Sequence, residues 1–147
     1  MQDTLEGVLA RKGATVHYVI PETPVIEAVR KMNQERIGAL LVCENGEMVG
    51  IFTERDVLCR VVDEGRDPNG TRVVDVMTSD VVSVRPDTPV DDAMAIISER
   101  RFRHLPVVSD SGLMGMVSSG DLTKWVSRTQ AGHIRHLEDF ITGKYPG

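Results

Sequence analysis

The sequence repeats itself. Residues 16–61 return as residues 81–126 without gaps, displaced by 65 positions. Identical pairs include Pro21/Pro86, Thr23/Thr88, Pro24/Pro89, Val25/Val90, Ala28/Ala93, Leu40/Leu105, Val42/Val107, Gly50/Gly115 and Asp56/Asp121. Each copy must therefore build the same unit. A unit that short buries too little surface to be comfortable alone, whereas two copies sharing a core bury enough.

The pattern within a copy predicts β-α-β-β-α. A short strand spans residues 15–20. In Pro21-Glu22-Thr23-Pro24, Thr23 is a predicted N-cap and Pro24 fits the first helical position. Val25, Ala28, Val29 and Met32 follow at helical spacing, to an end near Glu35. Residues 39–43 are continuously apolar, as in a strand buried on both faces. Asn45-Gly46 signals a tight hairpin, and residues 48–52 return as its partner. A second helix then starts at Thr53, with Val57, Leu58, Val61 and Val62 on its apolar side. The second copy repeats this order, with Val90, Ala93, Met94 and Ile97 on its helix face and Asp110-Ser111-Gly112 at its hairpin turn.

The predicted organisation is a lead-in helix within residues 1–14, a first unit at 15–64 and a polar connector at 65–75. A second unit follows at 76–127, then a C-terminal helix and tail at 128–147. The fold class is α/β: two tandem units packed through their sheets as a pseudo-twofold pair, with a C-terminal helical extension. Along the last helix, Leu122, Trp125, Val126, Ile134, Leu137 and Ile141 form an apolar side interrupted by Gly132. That side suits a subunit contact or a fold back onto its own module.

Both copies end in the same chemistry. Gly50-Ile51-Phe52-Thr53-Glu54-Arg55-Asp56-Val57 returns as Gly115-Met116-Val117-Ser118-Ser119-Gly120-Asp121-Leu122. A hydroxyl donates to a phosphate oxygen, and an ionised carboxylate accepts from the two vicinal hydroxyls of a ribose. A helix start adds unpaired N–H groups that suit a phosphate. The same spacing is also that of a capping box. The two roles are compatible.

The chain carries a formal charge of −5, which gives no general attraction to nucleic acid or anionic membrane. No apolar run is long enough to span a bilayer, and the acidic start lacks the features of a signal peptide. A cytoplasmic location is expected. Cys43 and Cys59 lack a CxxC spacing and are expected as buried thiols.

Tandem β-α-β-β-α units, each ending in Gly-apolar-apolar-Thr/Ser-x-x-Asp-apolar, resemble a pair of cystathionine β-synthase (CBS) domains, the Bateman module. The resemblance spans residues 4–127 and includes the Thr-Pro-Val caps and the Arg103-His104-Leu105-Pro106-Val107-Val108 strand. The whole chain is also similar to stand-alone CBS-pair proteins of bacteria and plant organelles. The resemblance implies binding of AMP, ADP or ATP, or in some members NAD or S-adenosylmethionine. It implies ribose contacts at Asp56 and Asp121, with Thr53 and Ser118 near ribose or phosphate. Thr15, His17 and Ile37 would hold adenine in one pocket, and Asp80, Val82 and Phe102 in the other. Arg55, Arg103 and His104 are the phosphate candidates, and Arg is the better fork. Arg36 and Arg101 are weaker ones at helix ends.

The two copies differ in their cations. Arg55 becomes Gly120, while Arg103-His104 replaces Gly38-Ala39, so unequal affinities are expected. The implied function is a regulatory, homodimeric nucleotide sensor, without catalytic cofactor or metal, that acts on a protein partner yet to be identified. Two other classes compete. An enzyme would need a catalytic constellation, and neither a Ser-His-Asp pattern nor a third ligand beside His133 and His136 is present. A ligand-free interaction module would use both boxes only as caps.

Overall fold

The computed structural model describes residues 3–129. The chain divides into two units: residues 15–82 form one, and residues 3–14 join residues 83–129 in the other.

In the first of these, β1 (Tyr18–Val19) pairs in parallel with β2 (Ala39–Glu44), and β2 pairs antiparallel with β3 (Glu47–Thr53). Ala39, Leu40, Leu41 and Val42 are all buried, as the unbroken apolar run requires. Asn45 at φ 53° and Gly46 at φ 80° make the tight turn between the strands, the left-handed pair that a two-residue hairpin needs. Helix α2 (Val25–Glu35) lays Val25, Ala28 and Met32 on this sheet's core, with Phe52, Val61, Val73 and Val76.

In the other unit, β4 (His104–Ser109) and β5 (Gly112–Ser118) form the hairpin, and α4 (Val90–Arg100) matches α2. The third strand is reduced to a single parallel bridge between Val84 and Val107. That bridge is the counterpart, 65 residues on, of Val19 opposite Val42. Both hairpins break register at the same place, after Val42 and after Val107. Both α2 and α4 end on a left-handed arginine, Arg36 at φ 56° and Arg101 at φ 60°. The unit also contains α1 (Leu5–Lys12) and α5 (Ser119–Thr129).

Several local expectations are corrected. Thr23 does not cap α2: its Oγ1 accepts from the Ile20 backbone N–H at 3.2 Å, and Pro24 holds the N-cap position. Thr88 does the same for the Arg85 N–H. The N–H of Val25, at the start of α2, is satisfied instead by the carbonyl of Thr71, and that of Ile26 by Pro68. Residues 65–75, expected as a connector, thus supply backbone partners and the buried Thr71 and Val73 to the first unit.

Residues 3–9 play the same part in the second unit. The Val90 N–H donates to the Asp3 carbonyl, Leu5 to Thr88 and Glu6 to Pro86. These match Val25 to Thr71, Val73 to Thr23 and Val74 to Pro21. Each unit is therefore completed by a segment from the opposite side of its repeat in the sequence: after it in the first unit, before it in the second.

The helix after β3 also differs from expectation. α3 (Glu54–Asp56) passes directly into a π-helical stretch, Val57–Val62. Wider winding moves the apolar face off the expected stripe. Val61 is buried, but Leu58 and Val62 are each 64% exposed. Cys59 is exposed rather than buried, and Cys43 is half-buried, with burial pushing its thiol up. Ile134, Leu137, Ile141, Gly132, His133 and His136 lie outside the described residues.

Candidate nucleotide-binding site

Strand β3 delivers Thr53 to the start of α3 in extended backbone, which frees its side chain to turn back on the helix. The Asp56 N–H donates to Thr53 Oγ1 at 3.2 Å, and the Thr53 N–H donates to Asp56 Oδ2 at 3.0 Å. This is a complete capping box. Asp56 is only 5% exposed. Its other oxygen, Oδ1, accepts from Thr78 Oγ1 at 3.1 Å and lies 3.8 Å from Arg60 Nε.

The second copy repeats the box. The Ser118 N–H donates to Asp121 Oδ2 at 2.8 Å, and the Asp121 N–H donates to Ser118 Oγ at 3.1 Å. The external donor is different. Lys12 Nζ donates to Asp121 Oδ2 at 2.6 Å and to the Met116 carbonyl at 2.8 Å. Burial pushes the Asp121 carboxyl up, but the Lys12 ammonium and the Ser118 groups outweigh it and hold the carboxyl below its ordinary value. Oδ1 of Asp121 accepts no hydrogen bond among the described residues. Among the described residues, Asp56 thus accepts on both oxygens and Asp121 on Oδ2 only.

The remaining candidates divide between the units. Thr15, His17, Ile37, Thr53, Arg55, Asp56, Asp80 and Val82 fall within residues 15–82, and Phe102, Arg103, His104, Ser118 and Asp121 in the other unit. The sheet brings Gly38 beside the first box, where its carbonyl accepts from the Glu54 N–H at 3.0 Å. Ile37 packs half-buried against the core. His17 Nε2 lies 3.7 Å from Glu35, and Thr15 and Arg55 are exposed. Asp80 is exposed and Val82 half-buried. In the second unit His104 sits directly opposite Ser118, and the Arg103 carbonyl accepts from the Ser119 N–H at 2.8 Å. The Arg103 side chain is exposed and Phe102 is half-buried. Arg36 and Arg101 hold the left-handed turns that end α2 and α4.

Thr78 and Lys12 were missed by sequence reasoning. The segments that carry them correspond at a displacement of 68, Thr71, Val73 and Val74 matching Asp3, Leu5 and Glu6 in role, so the 65-residue register does not reveal them.

A family model described as the CBS domain matches residues 14–63 and again residues 73–128. A mitochondrial CBS-domain-containing protein of Arabidopsis thaliana is 35% identical, with 97% of this chain and 73% of that protein covered. A solved CBS-domain protein of Burkholderia ambifaria, with a proposed role in signal transduction, superposes with a TM-score of 0.84 at 38% identity. That alignment covers 87% of this chain and 96% of that one. A CBS-domain-containing protein of Agrobacterium tumefaciens gives 0.79 at 35% identity, covering 83% and 98%.

Proposed function

The chain belongs to the CBS-domain family, and from that premise we propose that it is a non-catalytic regulatory module that binds an adenine nucleotide. AMP, ADP and ATP are the leading ligands, with NAD or S-adenosylmethionine as variants. The observation that carries this reading is the duplicated box, in which a strand-end hydroxyl and a carboxylate meet at a helix start. A homodimer acting on a protein partner, in the cytoplasm, belongs to the same proposal.

Of the two boxes, Asp121 is the working site. Its Oδ1, which accepts no hydrogen bond among the described residues, supports ribose binding without loss of the cap, while Lys12 is paired with Oδ2. Asp56 has no oxygen to spare, which favours a structural role for the first box.

Thermal unfolding of ligand-stripped protein with each nucleotide tests the reading. A ligand that binds only the folded state raises the midpoint by mass action. The reading expects a rise with at least one adenine nucleotide that disappears in Asp121→Ala. Midpoints that no nucleotide moves would leave a ligand-free interaction module in which both boxes serve as caps.

A further inference from the structure

Four cationic side chains and one carboxylate surround a cavity of about 350 Å³ between α1 and α5, inside the second unit. Arg11 and Lys12 enter from α1, and Asp121, Lys124 and Arg128 from α5, with Trp125 as a wall. The lining carries a net charge of +3 in a chain whose formal charge is −5. Lys12 and Asp121 neutralise each other at 2.6 Å. Arg11, Lys124 and Arg128 have no carboxylate partner among the described residues.

Helix polarity accounts for part of this cluster. Arg11 and Lys12 sit in the last turn of α1, where cations are favourable. It does not account for Lys124, in the middle of α5 and one turn before Arg128. Like charges four residues apart on a helix repel. An anion between the two helices removes that cost.

We propose that this cavity is an anion-binding site for a phosphate-bearing small molecule of about the size of pyrophosphate, held by Arg11, Lys124 and Arg128. The volume lies within the range of small-ligand pockets. Arginine offers phosphate a planar fork of donors, and lysine a compact charge. The diphosphate belongs to a nucleotide or to a free inorganic anion, and the chemistry recognised is the same. The site uses neither Oδ1 of Asp121 nor any cation that the CBS resemblance implies.

The chain's one tryptophan reports on the cavity. Its indole is fixed by Nε1 donating to Asp3 at 3.0 Å and by Arg11 lying 5.1 Å over the ring. Full-length protein at low salt is titrated with pyrophosphate, ADP and adenosine while Trp125 fluorescence is read, and labelled pyrophosphate is dialysed in parallel. Saturable pyrophosphate binding is expected. The double variant Lys124→Gln, Arg128→Gln should weaken it roughly tenfold or more, given the strength of charge-assisted hydrogen bonds. A control pair of exposed arginines elsewhere, Arg30→Gln with Arg100→Gln, should leave it unchanged. Binding of ADP but not adenosine at this site also supports the proposal. No saturable pyrophosphate binding by either readout overturns it, as does equal weakening by the control pair. Adenosine binding without pyrophosphate binding overturns the anion site while leaving the ribose reading of Asp121 intact.

Discussion

Lys12 lies 109 positions before Asp121 in the chain, and its ammonium donates to the Asp121 carboxylate at 2.6 Å. Thr78 does the corresponding work for Asp56 from 22 positions after it. The Thr78 N–H donates to the Ile51 carbonyl, and Lys12 Nζ donates to the Met116 carbonyl, which is the repeat of Ile51. A hydroxyl and an amide in one unit are thus replaced by a single ammonium in the other.

The lowered Asp121 carboxyl gives Lys12→Met a pH signature. A depressed folded value contributes stability that is present above the unfolded carboxyl pKa, about 3.9, and is lost as pH falls through the folded value. At neutral pH the variant should be less stable by about 1 kcal/mol, a modest figure because the pair is partly exposed. Urea unfolding at stepped pH should show the gap between wild type and variant closing below about pH 4. A gap that stays constant down to pH 2 would rule out the ion pair as its source.

Asp56→Ala should cost more than Asp121→Ala. It removes a capping box, worth about 1–2 kcal/mol, and leaves the half-buried Thr78 hydroxyl without its acceptor. Asp121→Ala removes a similar box from a more open site. Denaturant midpoints in the absence of ligand would show the order, and equal losses would argue against the difference in commitment.

Gly50 and Gly115 are close-approach positions. A Cβ on Gly50 would stand 2.5 Å from Met77 Sδ and 3.0 Å from the Thr78 carbonyl. On Gly115 it would meet the side chain of Leu9 at 2.9 Å. Gly50→Ala should destabilise by about 1–3 kcal/mol, and Met77→Ala should rescue it only partly, because the Thr78 backbone remains. Gly115→Ala should cost less than Gly50→Ala, because it meets only the far end of the Leu9 side chain and no backbone atom. Full rescue at Gly50 would show that the backbone approach is unimportant.

The π-helical winding of Val57–Val62 is testable by side-chain deletion. Leu58→Ser and Val62→Ser should each change stability by no more than about 0.5 kcal/mol, as at exposed positions. Val61→Ala should cost about 1–3 kcal/mol. A large loss at Leu58 would restore the regular helix that the sequence pattern predicts.

Much of this was legible beforehand because it is local. Asn45-Gly46 fixes its own hairpin through backbone preference, and the duplicated Thr/Ser-x-x-Asp spacing fixes the boxes. The CBS resemblance rests on those boxes together with the duplication, the Thr-Pro-Val segments and the strand Arg103-His104-Leu105-Pro106-Val107-Val108. Other details depend on residues far apart in the chain. Thr23 looked like a cap until Thr71 and Pro68 supplied carbonyls to the start of α2. A 3.6-residue period places Leu58 on the apolar side, but the helix widens there. The cationic cavity joins residues 11–12 to residues 124–128, a pairing that neither periodicity nor the 65-residue repeat reveals.

The ribose contact proposed for Asp121 is measured by calorimetric titration of wild type and Asp121→Asn with the nucleotide that raises the unfolding midpoint most, and with its 2′-deoxy and 3′-deoxy forms. The account predicts that wild type loses roughly tenfold or more in affinity on removal of a ribose hydroxyl, as expected for a hydrogen bond to a charged acceptor. It predicts that Asp121→Asn binds the ribose form more weakly and barely distinguishes it from the deoxy forms. Equal discrimination by both proteins would contradict the account and place ribose recognition elsewhere.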